Sequence, residues 1–578
     1  MTLKSNDVSP QTAMSLDDAV AKITSENPVF ELTQATIRGV TYPVFKNVAT
    51  DLGQMLRNAK PAHDNGQAEY LVFGSERYTY DAFLTHVEAV ANQLKTRFNV
   101  GSGTRVALAM ANCPEMLIAK MAIVSLGGVV VFLNAWWTQE ELVYPIEDSA
   151  VRIVFADEKR LERLSPLKDT NDLHLISVRC DGGDVRFSDL LAHPARAVDW
   201  PEIDPDSDFA VMYSSGTTGH PKGVVLTHRG AINAVYSWLM QLSILPLTDT
   251  QPASDTAPPR PCGMIITPLF HVTASHPAFL VSIPAGAKLV LMARWDADEA
   301  VRLIDREKVT RVIGVPTQTA DIMDAAKRLG SELKSLSVLG SGGAKRPPAQ
   351  VTELNEALPN TQIGTGWGMT ETNAIGIGAI GDEYVSHPAS AGRLYPPIQQ
   401  LEFRDPNGLP VSQGEIGEIT VKSACNMREY LNKPEATQDA LQDGWLRTGD
   451  LGFIDENGVV TIVDRIKNII IRGGENIACL DVEAALHGHP AVLEACSFAV
   501  PHSRLGEVVG AVVLLRQGHD ATAGEITDYL RERIAHFKVP ENIWMYETTL
   551  PRGATDKLDR RGIQQHCIGQ LPQTSSSE

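Results

Sequence analysis

The chain is 578 residues long, several times the usual domain length, so it needs two or more hydrophobic cores. Its 43% apolar and 21% charged residues, with 45 Gly and 34 Pro, exclude a wholly disordered chain and describe a folded, turn-rich enzyme or carrier. A formal charge of −19 excludes a general nucleic-acid binder, whose affinity rests on clustered Lys and Arg, though it leaves room for one basic pocket.

The opening residues, MTLKSNDVSP, lack the apolar core of a signal peptide, and within 1–45 only Ser15, placed to cap a short helix ahead of Asp18, has a readable role. From about 100 to 380, short β-rich runs alternate with amphipathic ones: TRVALAM (104–110), PEMLIAKMAIVSL (114–126), VVVFL (129–133), VRIVFA (151–156), AKLVLM (287–292) and DADEAVRLIDREK (296–308). That rhythm predicts layered α/β architecture with parallel strands. The most apolar run, Ala122 to Leu133, falls short of the roughly 20 residues of a membrane span and carries a Gly-Gly break, so it reads as a buried helix end leading into a strand. The polar, Pro-rich stretch 249–261 predicts a mobile surface loop.

Beyond Gly408, Gly-turn-strand units such as GEIGEITVKS (414–423) predict a smaller β-rich subdomain. After the charged junction Val463 to Lys467, the runs at 481–489, 497–501, 510–515 and 524–537 predict a compact α+β unit. The expected fold class is therefore α/β. An N-terminal extension (1–45) leads into a large N-terminal domain (46–463) of layered α/β subdomains with the β-rich subdomain, then a hinge (464–467), a small mobile α+β C-terminal domain (468–565) and a flexible tail (566–578). The seven cysteines form no CxxC pair, which gives neither a zinc site nor a disulfide frame and fits a reducing compartment, with cytoplasm as the expected location. The terminal Ser-Ser-Glu is not a peroxisomal address.

The segment YSSGTTGHPKGV (213–224) raises the question of which phosphate loop it is. A Walker loop needs a hydroxyl after its lysine to hold magnesium, whereas Lys222 is preceded by Pro221, which has no N–H, and followed by Gly223. What remains is a row of donors on a Gly-rich turn with one cation, able to wrap a di- or triphosphate. A polar surface turn is the alternative reading from these residues alone.

Six further motifs follow: PLFH (268–271), GSGGA (340–344), GTGWGMTET (364–372), WLRTGD (445–450), DRIKNIIIRGGENI (464–477) and PRGATDKLD (551–559). Together, in this order, the seven resemble the adenylate-forming acyl-CoA synthetase family over about residues 50 to 560. The resemblance implies two half-reactions: a carboxylate attacks the α-phosphorus of ATP, and a thiol then attacks the acyl-adenylate. It also implies ATP, Mg2+ and coenzyme A as cofactor and co-substrates. A carboxylate with a pKa of roughly 4 to 5 needs no general base for the first half, only charge neutralisation and alignment.

Carried over residue by residue, the resemblance gives Ser214, Ser215, Gly216, Thr217, Thr218, Gly219 and Lys222 the β- and γ-phosphates. Trp367 would lie against adenine with Gly368 and Met369 beside it, Thr370 would touch the α-phosphate, and Glu371 would support the magnesium. Gly342, Gly343 and Ala344 would line the adenine and acyl walls, and Asp450 would accept the ribose hydroxyls. Arg465 would reach the ribose or phosphate, and Lys467 would be the hinge residue. Lys557 would bridge the attacking carboxylate and the α-phosphate. Domain rotation would then withdraw it and bring Arg472, Gly473 and Gly474 to the thiolation site. Asp556 stands where the family usually has Gly, which bears on the conformation of the lysine loop.

Amino-acid-activating relatives carry Asp after the Phe of the PLFH-like motif, and here that position is His271, so a buried ammonium would lack its partner. His271 is expected between the acyl group and the thiol entry. The presumed acyl wall, 271–275, 340–344 and 373–378, holds small or aliphatic side chains and no cation. The expected activity is AMP-forming acyl-CoA synthesis from a medium- or long-chain fatty acid. Aryl acids, an acyl-AMP ligase loading a carrier protein, and a nucleotide-binding regulator without turnover remain as alternatives. The expected partners are a small-molecule carboxylate, ATP and CoA, with no nucleic acid and no transmembrane segment. The oligomeric state stays open, a homodimer among the options.

Overall fold

We describe a computed structural model over residues 14–192, 198–214, 220–248, 259–394, 397–553 and 557–571. Ser215 to Gly219 of the expected phosphate grip, Asp556, the 249–258 part of the Pro-rich loop and the tail beyond 571 lie outside the described residues.

Two large sheets form the frame of the N-terminal domain. One has eight strands in the described residues, and its middle, Arg105–Ala109, Val129–Phe132, Ile153–Asp157 and His174–Val178, is parallel. These strands are almost wholly apolar because helices cover both faces of the sheet, so no side of the pleat needs polar residues. The second has nine strands, with Cys262–Ile265, Lys288–Leu291, Arg311–Gly314, Val338–Gly342 and Gln362–Gly368 parallel. Apart from Glu115 and the buried Lys120, the helix Pro114–Ser125 is nearly all apolar and is buried along its length, as a helix enclosed in a core must be. It ends before the strand Val129–Phe132, as the run 122–133 predicts.

Residues 14–45 pack onto this domain. Ser15 Oγ accepts from Asp18 N at 3.1 Å, capping Leu16–Glu26, and Phe30 and Phe45 join the main core. The hairpin Leu32–Ile37/Val40–Phe45 is tied down where Phe45 N donates to Asn233 Oδ1 at 3.0 Å. The expected β-rich subdomain is a five-stranded sheet that includes Gln399–Arg404, Gly417–Ser423, Trp445–Ile454 and Val460–Arg465. Among the described residues no helix is long and apolar enough to cross a membrane.

The C-terminal domain has its own core, built on the long hairpin Val492–His502/Gly506–Leu515 with helices Cys479–His487, Ala523–Arg531 and Arg560–Gly569. A part-buried ion pair roots its last helix: the Arg560 guanidinium bonds both Glu483 oxygens and the Ser497 carbonyl, while Glu483 Oε1 accepts from Ser497 N at 2.7 Å. Lys557 lies three residues before Arg560, so this pair holds the start of the helix that follows the lysine.

Replacing Glu483 with Ala strands a part-buried guanidinium and the Ser497 N–H, and is expected to cost about 2 to 3 kcal/mol. Denaturant unfolding of the full chain checks this, with a separate early transition for the C-terminal domain as the expected result and a loss below about 1 kcal/mol as the contrary one.

Candidate functional site

The parallel strands of both sheets end on one side, and the motif residues gather there. The strand Asp208–Ser214 runs antiparallel to Lys222–Thr227 with Ser214 opposite Lys222, so the two ends of the phosphate-loop motif pair as neighbouring strands. The Ser214 hydroxyl donates to the Lys222 carbonyl at 3.4 Å. Lys222 Nζ sits 4.7 Å over the Tyr430 ring, a cation–π contact. The Tyr430 hydroxyl donates to Glu371 Oε1 at 2.9 Å. The cation of the phosphate loop and the buried Glu371 carboxylate are thus joined through one aromatic ring. Burial, reinforced by Glu371, pushes the Tyr430 phenol well up, so it stays a donor.

Thr370 and Glu371 lie on the 3-10 turn Thr370–Thr372, which is held from several sides. Thr372 Oγ1 donates to Ile375 O at 2.6 Å, Met427 N donates to Glu371 O at 2.7 Å, and Asn373 closes the turn in the left-handed region with φ 54°. Asn373 keeps that conformation because its amide donates to Cys425 O at 2.7 Å and its carbonyl meets His276 Nε2 at 3.0 Å. Gly368, just before the turn, has to be glycine: a Cβ there would lie 2.4 Å from Ala374 O. Met369 N donates to Thr372 Oγ1 at 3.2 Å.

Asp450 is buried, and both of its oxygens are engaged. Trp367 Nε1 donates to Oδ2 at 2.9 Å, and Arg465 Nε pairs with Oδ1 at 2.8 Å. Trp367 is therefore fixed from its indole edge by the carboxylate expected at the ribose. A carboxylate has about four lone-pair sites, so ribose hydroxyls can be added to these two bonds.

Lys557 reaches into the same cleft. A Cβ on Gly343, which has φ +79°, would lie 3.2 Å from Lys557 Cε and 3.7 Å from its Nζ. The lysine stem packs on bare backbone here, the close approach that a glycine permits. The open cleft leaves Lys557 in contact with solvent, but surrounding protein and the Arg465 charge lower its pKa, against the pull of Asp450 and Glu371. Gly342 ends the strand Val338–Gly342 beside it, and Ala344 follows. His271 packs against Phe270 with ring centroids 4.6 Å apart and the rings tilted by 52°, and its Nε2 is buried with no hydrogen-bond partner among the described residues. Burial, then Lys557, lowers its pKa to about 3, so the imidazole is neutral.

Arg465 ends the strand Val460–Arg465, and Lys467 lies on the turn Ile466–Asn468 that leads into the C-terminal domain. Burial, helped by Arg465, lowers Lys467 to about 8. Arg472, Gly473 and Gly474 contact their own domain instead of the cleft: Arg472 pairs with Glu541 at 2.6 Å, and Gly473 N donates to Leu505 O at 2.8 Å. The structure brings Lys557 together with Glu371, Asp450 and Arg465 and holds the 472–474 turn back, one of the two arrangements that domain rotation implies.

A cavity of about 100 Å³ leaves this cleft along the face of the nine-stranded sheet, under Trp238, Leu242 and Leu245 of the helix His228–Thr248. The expectation of an acyl wall without a cation needs correction, because Arg311 lines this cavity. Arg311 escaped notice since it lies in none of the seven motifs and reaches the wall only through strand pairing. Tyr430 was missed for the same reason, being 59 residues from Glu371 in sequence.

Among the described residues no group of three or more His, Cys, Asp or Glu is placed to hold a metal. One carboxylate, Glu371, suits Mg2+, which favours one or two protein carboxylates plus phosphate oxygens and water. Glu371 would hold the ion, which when bound neutralises phosphate charge.

The profile of the AMP-binding enzyme family matches residues 59–431, and that of the AMP-binding enzyme C-terminal domain matches 481–557. The chain is 30% identical over 526 residues to a long-chain-fatty-acid–CoA ligase of Bacillus subtilis (85% of this chain, 90% of the relative). It is 27% identical to 4-coumarate–CoA ligase 1 of Arabidopsis thaliana (87% and 89%). The structure of O-succinylbenzoate coenzyme A synthetase from Bacillus subtilis in complex with ATP and magnesium ion superposes with a TM-score of 0.75 at 27% identity, over 88% of this chain and 99% of that one. The chain belongs to the AMP-binding, adenylate-forming enzymes, in their acyl-CoA synthetase branch of acid–thiol ligases, which work with ATP, Mg2+ and coenzyme A.

Proposed function

We propose that this protein joins a hydrophobic carboxylic acid to the thiol of coenzyme A through an acyl-adenylate. The observation that carries the reading is the position of Lys557, packed on Gly343 with Asp450, Glu371 and Arg465 around it. There its ammonium can sit between an incoming carboxylate and the α-phosphate, adding positive charge where negative charge develops. Ser214 and Lys222, with the loop between them, grip the pyrophosphate that leaves. Glu371 holds the magnesium, Thr370 faces the α-phosphate, and Asp450 with Trp367 orients the nucleoside. The carboxylate attacks the α-phosphorus and pyrophosphate departs. Rotation about Lys467 then exchanges Lys557 for Arg472, Gly473 and Gly474, and the CoA thiol displaces AMP past the neutral His271.

The acid lies in the cavity over the nine-stranded sheet. Its floor carries Gly340 and Gly366, where an added Cβ would meet no protein atom closer than 3.5 Å and 3.9 Å respectively, so packing alone does not demand glycine there. The bare floor is room kept for a ligand. At about 100 Å³ the cavity holds a medium-chain or aryl acid more readily than a long chain, which would have to displace the Leu242 and Leu245 wall. Seven free cysteines and the use of ATP and CoA support a cytoplasmic setting.

Two outcomes are expected. In pyrophosphate exchange across a panel of carboxylates, Lys557→Ala loses about a hundredfold or more, yet converts supplied acyl-adenylate to thioester within a few-fold of the parent rate. Equal loss in both halves would contradict the assignment. Because Lys557 acts as a cation with a lowered pKa, exchange should fall as pH rises, with an alkaline limb below the ordinary lysine value of about 10.4. Lys557→Arg should move that limb upward. A limb unmoved by Lys557→Arg would remove Lys557 as its origin.

A further inference from the structure

The distal end of the acyl cavity is not apolar. Arg311 opens the strand Arg311–Gly314, in register with Val338 of the neighbouring strand. Side chains alternate across a strand, so Arg311 shares a face with Ile313, and that row pairs with Val338 and Gly340. All four line one cavity that also touches Gly342, Gly366 and Trp367, the residues proposed to face the nucleotide. Gln241, one helical turn before Leu245, lines it as well.

From Gly342 to Val338 is four residue steps, about 13 Å at the strand rise, which matches an extended chain of roughly ten carbons. We propose that Arg311 receives a strong oxygen acceptor, foremost a second carboxylate, at the far end of the acid, so that the preferred substrates are ω-functionalised medium-chain acids. The inference rests on the ligase reading above and adds the substrate class.

The alternative is a solvated cation at the start of a central strand. Against it stands the alternation that points Arg311 along the cavity face instead of away from it. Arg311 also interacts elsewhere in the chain. A guanidinium has five N–H donors in a planar fork, so it can keep such a partner and still present a donor edge to the cavity. An unaccompanied carboxylate in an apolar channel would bear a large desolvation cost, so without this contact a diacid would be the poorer substrate. The sign of the preference therefore reports the contact.

The test compares decanoate, 10-hydroxydecanoate and decanedioate in AMP release and thioester formation by the full chain with ATP, Mg2+ and CoA. The wild-type protein should prefer decanedioate to decanoate in kcat/KM, with the hydroxy acid between. Arg311→Leu should lower the diacid-to-monoacid ratio by about tenfold or more, the size of a charge-assisted hydrogen bond, and Arg311→Lys should keep most of it. A merely structural role would lower both acids alike and leave the ratio unmoved, which would overturn the proposal. A wild-type preference for decanoate would overturn it without any variant, should Arg311→Leu fail to fold. Absence of AMP release with every acid of a broad panel would overturn the ligase reading itself, whereas turnover with an unmoved ratio removes only the distal contact.

Discussion

The buried Asp450 carboxylate is the constraint on which the arrangement turns. It holds the Trp367 indole with one oxygen and Arg465 with the other, and Thr448 Oγ1 accepts its backbone N–H at 3.1 Å. Asp450 and Arg465 are also register partners on adjacent strands, so the ion pair closes the sheet at the point where the chain leaves the large domain. The neighbouring Asp464 continues the link: its Oδ2 accepts from Leu480 N at 2.9 Å, in the first turn of the C-terminal domain's first helix. Asp450 thus holds the Trp367 indole on one side, while the adjacent Asp464 and Arg465 tie the strand end to Asp450 and to the first helix of the C-terminal domain on the other. Where Lys557 arrives follows from that.

The cleft is also a problem of like charge. Lys222, Arg465, Lys467 and Lys557 converge on two buried carboxylates, Asp450 and Glu371, from an open cleft in which Arg465, Lys467 and Lys557 stay exposed to solvent. Burial and mutual repulsion lower Lys467 and Lys557, while Asp450 opposes both shifts and Glu371 opposes that of Lys557. Such a surplus of positive charge is costly alone and well matched to a polyphosphate. The chain carries −19 overall, so this concentration of cations is local and its partner is a small anion.

Much of this could be read from the sequence because the signals were local. Alternating runs gave parallel strands since buried sheets need no polar face, and Ser15 gave a helix start through its cap. Motif resemblance supplied residues such as Glu371, Asp450 and Lys557, which the fold gathers from three distant segments. What was not legible depends on pairing between strands far apart in sequence. Tyr430 reaches Glu371 only because its strand lies beside Lys222–Thr227, with Tyr430 opposite Val224. Arg311 belongs to the acyl cavity only through the register of two parallel strands. The Asn373 turn needs His276 and Cys425, which local spacing does not connect to it.

All of these features converge on attack at the α-phosphorus instead of transfer of the terminal phosphate. The fate of oxygen tests this most directly. With an acid carrying 18O in its carboxylate, the account predicts one labelled oxygen in the phosphate of the released AMP and none in pyrophosphate. Unlabelled AMP, or ADP formed together with labelled inorganic phosphate, would contradict it.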